Sequence, residues 1–323
     1  MHIVSQADTE QHLPFPALLT ALEQMFAQGC EVPLRHIHAI PGSQAQDNGM
    51  LLLMPAWQPG ERLGVKTVSI FPGNAQHGLP GLHSVYILYS ARTGQPLAVL
   101  DGDTITSRRT CAASALAARW LSREDAHRLL IVGAGRVASL LPHAYRSVRD
   151  ITHIDVWSRT ATSAQALVET LRQQGLPAHH APDLENAVRH ADIVSSATLS
   201  TSPLIHGDWL QPGAHLDLIG SFTPSMRESD SSCLRKATVF ADTLEALMKA
   251  GDLLSAIDDG AWHKDQLAAT LEHLCRQQHR GRRHAQEITL FKSVGSALED
   301  LAAASLAYDS WMAVSGQNTS ALA

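Results

Sequence analysis

The stretch Leu129-Leu130-Ile131-Val132-Gly133-Ala134-Gly135-Arg136-Val137-Ala138 decides how the chain is read. Four consecutive apolar residues suit a strand buried on both faces, and the glycine pair turns the chain sharply into a segment of helical composition. In such a strand-turn-helix the first glycine permits the tight turn and the second lets a pyrophosphate approach the backbone, while Ala138 allows the helix to lie close on the strand. The unpaired N–H groups of the first helical turn then face the diphosphate. Gly133, Gly135, Arg136 and Val137 are therefore candidate dinucleotide-binding residues.

Around this turn, residues 128–133, 153–158, 192–198, 215–220 and 238–242 read as short strands rich in Val and Ile. Helices are expected between them at 137–148, at 162–174 ahead of Gly175, and at 184–190 with Asp183 as N-cap. This alternation predicts a doubly wound parallel α/β domain. At the tip of the second strand, Trp157-Ser158-Arg159-Thr160 lacks the carboxylate that bonds the ribose of NAD. Ser158, Arg159 and Thr160 suit a 2′-phosphate instead, which favours NADP, with NAD as the alternative. Asp155 falls too early in the strand to serve.

The first 110 residues differ, because strand-like pieces at 64–71 and 84–90 are joined by turn signals such as Pro72-Gly73-Asn74 and Arg92-Thr93-Gly94-Gln95-Pro96. An antiparallel α+β lobe is expected. The Ala-rich segment 107–121 reads as a helix linking the two parts. Residues 286–307 read as one further helix with Ile288, Phe291, Gly295, Leu298 and Ala302 on its packed face, returning to the first lobe. The small, polar tail from Ser315 is expected to fray.

At 323 residues, 45% hydrophobic and 17% charged, the chain is a folded protein long enough for two domains. A formal charge of −6 excludes the strong positive field that nucleic-acid binding requires. The longest apolar runs, such as 50–57, fall short of the ~20 residues that span a bilayer. Asp8 and Glu10 stand where a signal peptide would be basic and then apolar. No membrane partner and a cytoplasmic location are therefore expected. Cys30, Cys111, Cys233 and Cys275 contain no CxxC pair and read as reduced thiols. His36 and His38 share a strand face, and His273, Cys275, His279 and His284 crowd one segment, but neither set has a recognised ligand spacing, so no metal is expected. No GxSxG supports an esterase.

Several further stretches are distinctive: Gly64-Val65-Lys66-Thr67-Val68, Phe71-Pro72-Gly73-Asn74, Ile105-Thr106-Ser107-Arg108-Arg109-Thr110, Gly220-Ser221-Phe222-Thr223-Pro224 to Arg227-Glu228, Ala250-Gly251-Asp252-Leu253, and Glu287-Ile288-Thr289-Leu290-Phe291-Lys292-Ser293-Val294-Gly295 leading to Glu299-Asp300. With the glycine turn, and in this order, they resemble the ornithine cyclodeaminase and mu-crystallin family over nearly the whole length. The resemblance implies a homodimer in which a Rossmann domain, residues 116–289, is inserted into an α+β substrate-binding and dimerisation lobe formed by 1–115 and 290–323. It places Arg35, Lys66 and Arg109 at substrate-binding positions, and Ser293 and Val294 at positions that close over nicotinamide and substrate. It adds Thr110, Thr198 and Ser221 to the cofactor-binding set.

The family includes ornithine cyclodeaminases, cyclic imine reductases, some alanine dehydrogenases and mu-crystallin itself. In the cyclodeaminases the segment after Gly220 is similar to Gly-Gly-Asp-x-Pro, and alignment on Pro224 puts Phe222 where the aspartate stands. Phe222 accepts no proton, so the resemblance implies reduction of pyrroline-2-carboxylate or piperideine-2-carboxylate to proline or pipecolate, with Phe222 against the ring. Arg35 and Arg109 suit its carboxylate because a guanidinium offers paired donors. Lys66 adds to that field or delivers a proton. Arg109 is preferred to Arg108 because the Arg-Thr pair is expected to open the linking helix. No carboxylic base is expected beside these cations. An ornithine cyclodeaminase and a non-catalytic NADPH-dependent binding protein are the alternatives.

Overall fold

Alternation between buried and open side chains along strands of up to nine residues builds the first part of the chain. The computed structural model describes residues 1–42 and 48–315, apart from the side chain of Ala75. It divides into two units, Met1–Arg109 with Ser296–Ala323, and Thr110–Gly295. The polar tail beyond Ser315 lies outside the described residues.

In the first unit, strands β1 (His2–Val4), β2 (His36–Ile40), β3 (Gly49–Trp57), β4 (Arg62–Ile70), β5 (Leu82–Ser90) and β6 (Pro96–Asp101) form a sheet of order β1-β6-β5-β4-β3-β2. β2 to β6 run antiparallel as a meander, and β1 joins the edge parallel to β6. Two helices that composition did not single out, α1 (Gln6–Gln11) and α2 (Phe15–Gln28), precede the meander. α2 buries Phe15, Leu18, Leu19, Leu22, Met25 and Phe26, the stripe of a helix with one apolar face. The C-terminal helix Ala297–Val314 packs on α2 and on β3, β4 and β5.

Helix α3 (Gly102–Leu121) starts well before residue 107, because Asp101 accepts the Thr104 N–H at 2.7 Å and so caps an earlier turn. Arg109 therefore lies in the interior of α3, and the expectation that it opens the helix fails.

The second unit is a wholly parallel sheet of β7 (Arg128–Val132), β8 (His153–Trp157), β9 (Ala178–His180), β10 (Ile193–Ser196), β11 (His215–Leu218), β12 (Thr238–Ala241), β13 (Leu267–Thr270) and β14 (Thr289–Lys292). Its order is β13-β12-β14-β11-β10-β7-β8-β9. Helices α4 (Arg136–Tyr145), α5 (Ala161–Gln173) and α6 (Leu184–His190) are the expected crossovers. Asp183 caps α6 by accepting the Asn186 N–H. The single helix expected over 286–307 is corrected: Thr289–Lys292 is a strand in the middle of this sheet, buried at every position. Its apolar run matched a buried helix equally well, since periodicity does not separate the two. Gly295 at φ +76 then breaks the chain, and Ser296 caps the helix that follows.

Candidate active site

Because all strands of the second unit are parallel, the loops after β7, β8, β10, β11 and β14 emerge on one edge of its sheet. Those loops contain Gly133 to Val137, Ser158 to Thr160, Thr198, Ser221 with Phe222, and Ser293 with Val294. The order reverses between β7 and β10, since β8 and β9 continue one way and β10 and β11 the other. Ligands of doubly wound sheets bind at such a switch point.

Gly133 has φ +121, and a Cβ there would stand 2.6 Å from the Ala197 carbonyl oxygen, so only glycine fits. Gly135 is the opposite case: a Cβ on it meets no protein atom within 4 Å. It is the N-cap of α4 and supplies no side-chain acceptor, so the helix begins beside open space. This is the cradle a diphosphate requires, and Arg136 is exposed beside it.

At the end of β8, Arg159 and Thr160 are exposed, and Ser158 Oγ donates to the Thr160 carbonyl at 2.7 Å. The Asp155 carboxylate is instead held by His153, at 3.0 Å. Thr110 is half-buried on α3. Ser221 is enclosed in its own loop, where its hydroxyl donates to Met226 O (2.7 Å) and accepts from Asp252 N (3.0 Å). Phe222 remains 42% exposed. Ser293 and Val294 are buried, with their N–H groups on Leu218 O (3.1 Å) and Asp242 Oδ2 (2.6 Å).

Glu228, unassigned by the sequence reading, organises this edge. Its Oε1 accepts from Ser196 Oγ (2.7 Å), Thr198 N (2.7 Å) and Thr198 Oγ1 (2.8 Å), and its Oε2 from Gly220 N (2.7 Å). One carboxylate thus pins the loops after β10 and β11. Burial pushes its pKa up to about 7, against the opposing pull of Lys292 and these donors.

The first unit holds a second group of charges. On β4, Gly64, Lys66 and Val68 point inward by the two-residue period, so Lys66 is only 2% exposed. Its Nζ lies 2.7 Å from Asp300 Oδ2 and donates to Thr106 Oγ1 at 3.1 Å. Arg109 reaches the same acid, with Nε 2.9 Å from Asp300 Oδ1 and Nη1 2.6 Å from Glu299 Oε2. Glu299 and Asp300 come from the first turn of the C-terminal helix, where the helix dipole favours anions.

The structure therefore unites Lys66 and Arg109, and it corrects the expectation that no carboxylate stands beside them. Asp300 lies some 190 residues further along the chain than Arg109 (|i−j| of 191), so local patterning carried no sign of it. Burial lowers the Lys66 pKa to about 8, with Asp300 acting against that fall. Burial also works to raise the Asp300 pKa, but Lys66 and Arg109 outweigh it and hold the carboxylate ionised. Tyr86 lies directly across from Lys66 on β5, fully buried, and its hydroxyl has no hydrogen-bond partner among the described residues. Arg35 is half-buried ahead of the edge strand β2. Arg108 stacks its guanidinium 4.6 Å from the Phe15 ring centroid and donates to Leu13 O at 2.8 Å, which ties α3 to α2.

Among the described residues no group of three or more His, Cys, Asp or Glu side chains is arranged to hold a metal ion, and no helix is long and apolar enough to cross a membrane.

Known proteins share this sequence and fold over nearly the whole chain. A Delta(1)-pyrroline-2-carboxylate reductase of Colwellia psychrerythraea is 36% identical over 94% of this chain and 97% of its own. The ketimine reductase mu-crystallin of Mus musculus is 31% identical over 95% and 96%. The solved structure of Thermococcus litoralis Delta(1)-pyrroline-2-carboxylate reductase in complex with NADH and L-proline superposes with a TM-score of 0.90 at 32% identity, covering 98% of both chains. The profile of the ornithine cyclodeaminase/mu-crystallin family matches residues 1–315, and with relatives this similar over almost their whole lengths, the chain belongs to that family.

Proposed function

We propose that the protein reduces a small cyclic imino acid, pyrroline-2-carboxylate or piperideine-2-carboxylate, at the expense of a reduced nicotinamide nucleotide. The observation that carries this reading is the buried Lys66–Asp300–Arg109 group: a proton source and a carboxylate-binding cation fixed by one acid. The activity named for the Colwellia and Thermococcus relatives supports it.

Bound along the cradle at α4, the nucleotide supplies the hydride. The work of the chain's own residues is to bind, orient and protonate. Arg109 directs Nε at Asp300 and Nη1 at Glu299, so its Nη2 hydrogens remain for a substrate carboxylate. Arg35 is proposed as a second donor to that carboxylate. Lys66 bonds Asp300 and Thr106 and keeps one ammonium hydrogen for the ring nitrogen. The imine carbon gains the hydride and its nitrogen a proton, so the product is a cyclic amino acid. General acid assistance of this kind is worth ~10²–10⁴-fold. Asp300, held ionised between two cations, is a poor base for the proton removal that cyclodeamination needs, and Phe222 provides none.

Lys66 donates only while protonated, and its folded pKa of about 8 lies below the ordinary lysine value. Activity is therefore expected to be full below that pH and to fall as pH rises through it. In a profile of log kcat/KM, Lys66→Met should be slow at all pH values and lack this alkaline limb.

The open Ser158-Arg159-Thr160 tip supports NADPH as the preferred donor, and the parallel sheet that begins at β7 supports residues 116–289 as the core of the nucleotide-binding domain. A homodimer is supported by apolar side chains on the sheet face away from Lys66, where the half-buried Pro55, Val65, Ile87 and Val99 lie in one cross-strand row. Four free thiols support a cytoplasmic location.

The test is loss of reduced-nicotinamide absorbance with both imino acids and both nucleotides. Turnover of at least one imino acid is expected, without ammonia release from ornithine, and Arg159→Ala should reduce the preference for NADPH about tenfold, as for one lost charged hydrogen bond. No turnover of either ring with either nucleotide would refute the proposal.

A further inference from the structure

A cavity of about 470 Å³ in the second unit is lined mainly by basic side chains, six arginines and His284, with Glu124 as the one acid in its wall; Arg123 is paired with Asp125 and Asp192, and Arg283 with Glu287. Its walls come from the end of α3, the segment before β7, Arg149 before β8, and the 280–284 loop before β14. These are the entry ends of parallel strands. The cavity therefore opens on the edge of the sheet opposite to the nucleotide cradle, and no step of the proposed reaction uses it.

The cations divide into a fixed wall and an open rim. Arg149 gives Nε to Arg123 O (2.7 Å), Nη1 to Val148 O (2.8 Å) and Nη2 to the carbonyls of Ala118, Arg119 and Ser122. Arg282 donates to Leu121 O (2.7 Å), Ala214 O (3.1 Å) and neighbouring carbonyls of its own loop. Carbonyls orient these groups but carry no full charge, and Arg149, Arg280 and Arg282 form no ion pair among the described residues. Burial lowers the pKa of Arg282 to about 10 and that of Arg149 as well, with Glu287 and Glu124 opposing the fall and neighbouring arginines adding to it. Arg280 and His284 are exposed at the rim. Trp120 lines the same cavity, and its buried Nε1 has no acceptor among the described residues.

We infer that this cavity is a second ligand site, which takes a small molecule bearing a di- or triphosphate. Arg149 and Arg282, whose N–H groups are largely taken up by carbonyls and Thr289 Oγ1, attract an anion by their charge, and the exposed Arg280 and His284 at the rim offer donors to its several oxygens. The volume lies within the range of small-molecule pockets, ~300–1,000 Å³, which exceeds the needs of a single inorganic phosphate. The Trp120 side chain adds a flat apolar surface.

Titration calorimetry of the full chain at constant ionic strength, with inorganic pyrophosphate and separately with ADP, tests this in the presence of saturating reduced nicotinamide nucleotide. Saturable binding is expected. Arg280→Glu and His284→Glu, both rim changes, should each weaken it at least ~10-fold while thermal unfolding stays unchanged. Tighter binding of ADP than of pyrophosphate would support a contact between its ring and Trp120, and equal binding would support recognition of the phosphates alone. Heats that do not saturate, heats that vanish when the nicotinamide nucleotide is present, or wild-type affinity in both variants would overturn the inference.

Discussion

Asp300→Ala is expected to produce the largest loss of any single substitution in the first unit. Asp300 is fully buried and neutralises two buried cations at once. Removing one member of such a group leaves uncompensated charge in the interior, with a cost of ~3–5 kcal/mol in unfolding free energy. Lys66 and Arg109 also lose the acid that orients them, and misplaced catalytic groups lower rates by ~10² or more. Asp300→Asn keeps the volume and separates the two effects. Because Asp300 raises the Lys66 pKa, its replacement should shift the alkaline limb of the kcat/KM profile to lower pH. Chemical denaturation and the pH profile, measured together, check this. A variant with wild-type kcat/KM and an unmoved limb would show that Asp300 neither positions nor tunes Lys66.

Gly135→Val is expected to abolish dinucleotide binding in a protein that remains folded. The residue has φ −87 and ψ −175, which is extended backbone open to any residue, and no neighbour stands within 4 Å of an added Cβ. Nothing in the fold resists the change, whereas a diphosphate lying on the N-terminus of α4 would meet the new side chain directly. Loss of two or more charged hydrogen bonds corresponds to a decrease in affinity of at least ~10²-fold, measurable by quenching of tryptophan fluorescence. Gly133→Ala makes the contrast. Its φ of +121 and the Ala197 carbonyl 2.6 Å from the added Cβ predict a protein that fails to fold stably. If Gly135→Val retained normal affinity, the nucleotide would have to lie elsewhere than the cradle.

The parts of the fold legible in the sequence were those in which local pattern and final environment coincide. Strands β7, β8, β10, β11 and β12 are short apolar runs at the spacing of crossover helices, and α6 carries its cap beside it in sequence. β9 and β13 were missed because Ala178-His179-His180 and Leu267-Ala268-Ala269-Thr270 contain none of the Val and Ile that marked the other strands. β14 was read as part of a helix because burial on every side removes the alternation that marks a strand. On the nucleotide edge the glycine turn was visible at once. Glu228 was quoted only as part of a motif, since a carboxylate whose donors come from Ser196, Thr198 and Gly220 is defined by its neighbours in space.

The sequence by itself determined the parallel α/β domain, the strand-turn-helix at Gly133 and Gly135, and the family, because each follows from residues adjacent along the chain. Lys66 stood out as a cation in an apolar strand. Only the tertiary structure decided what surrounds it: β4, α3 and the first turn of the C-terminal helix bring Lys66, Arg109, Glu299 and Asp300 into one buried group. The physical reason is that Coulomb energies in the interior depend on separations of a few ångströms and on the exclusion of water. Distance along the chain carries neither.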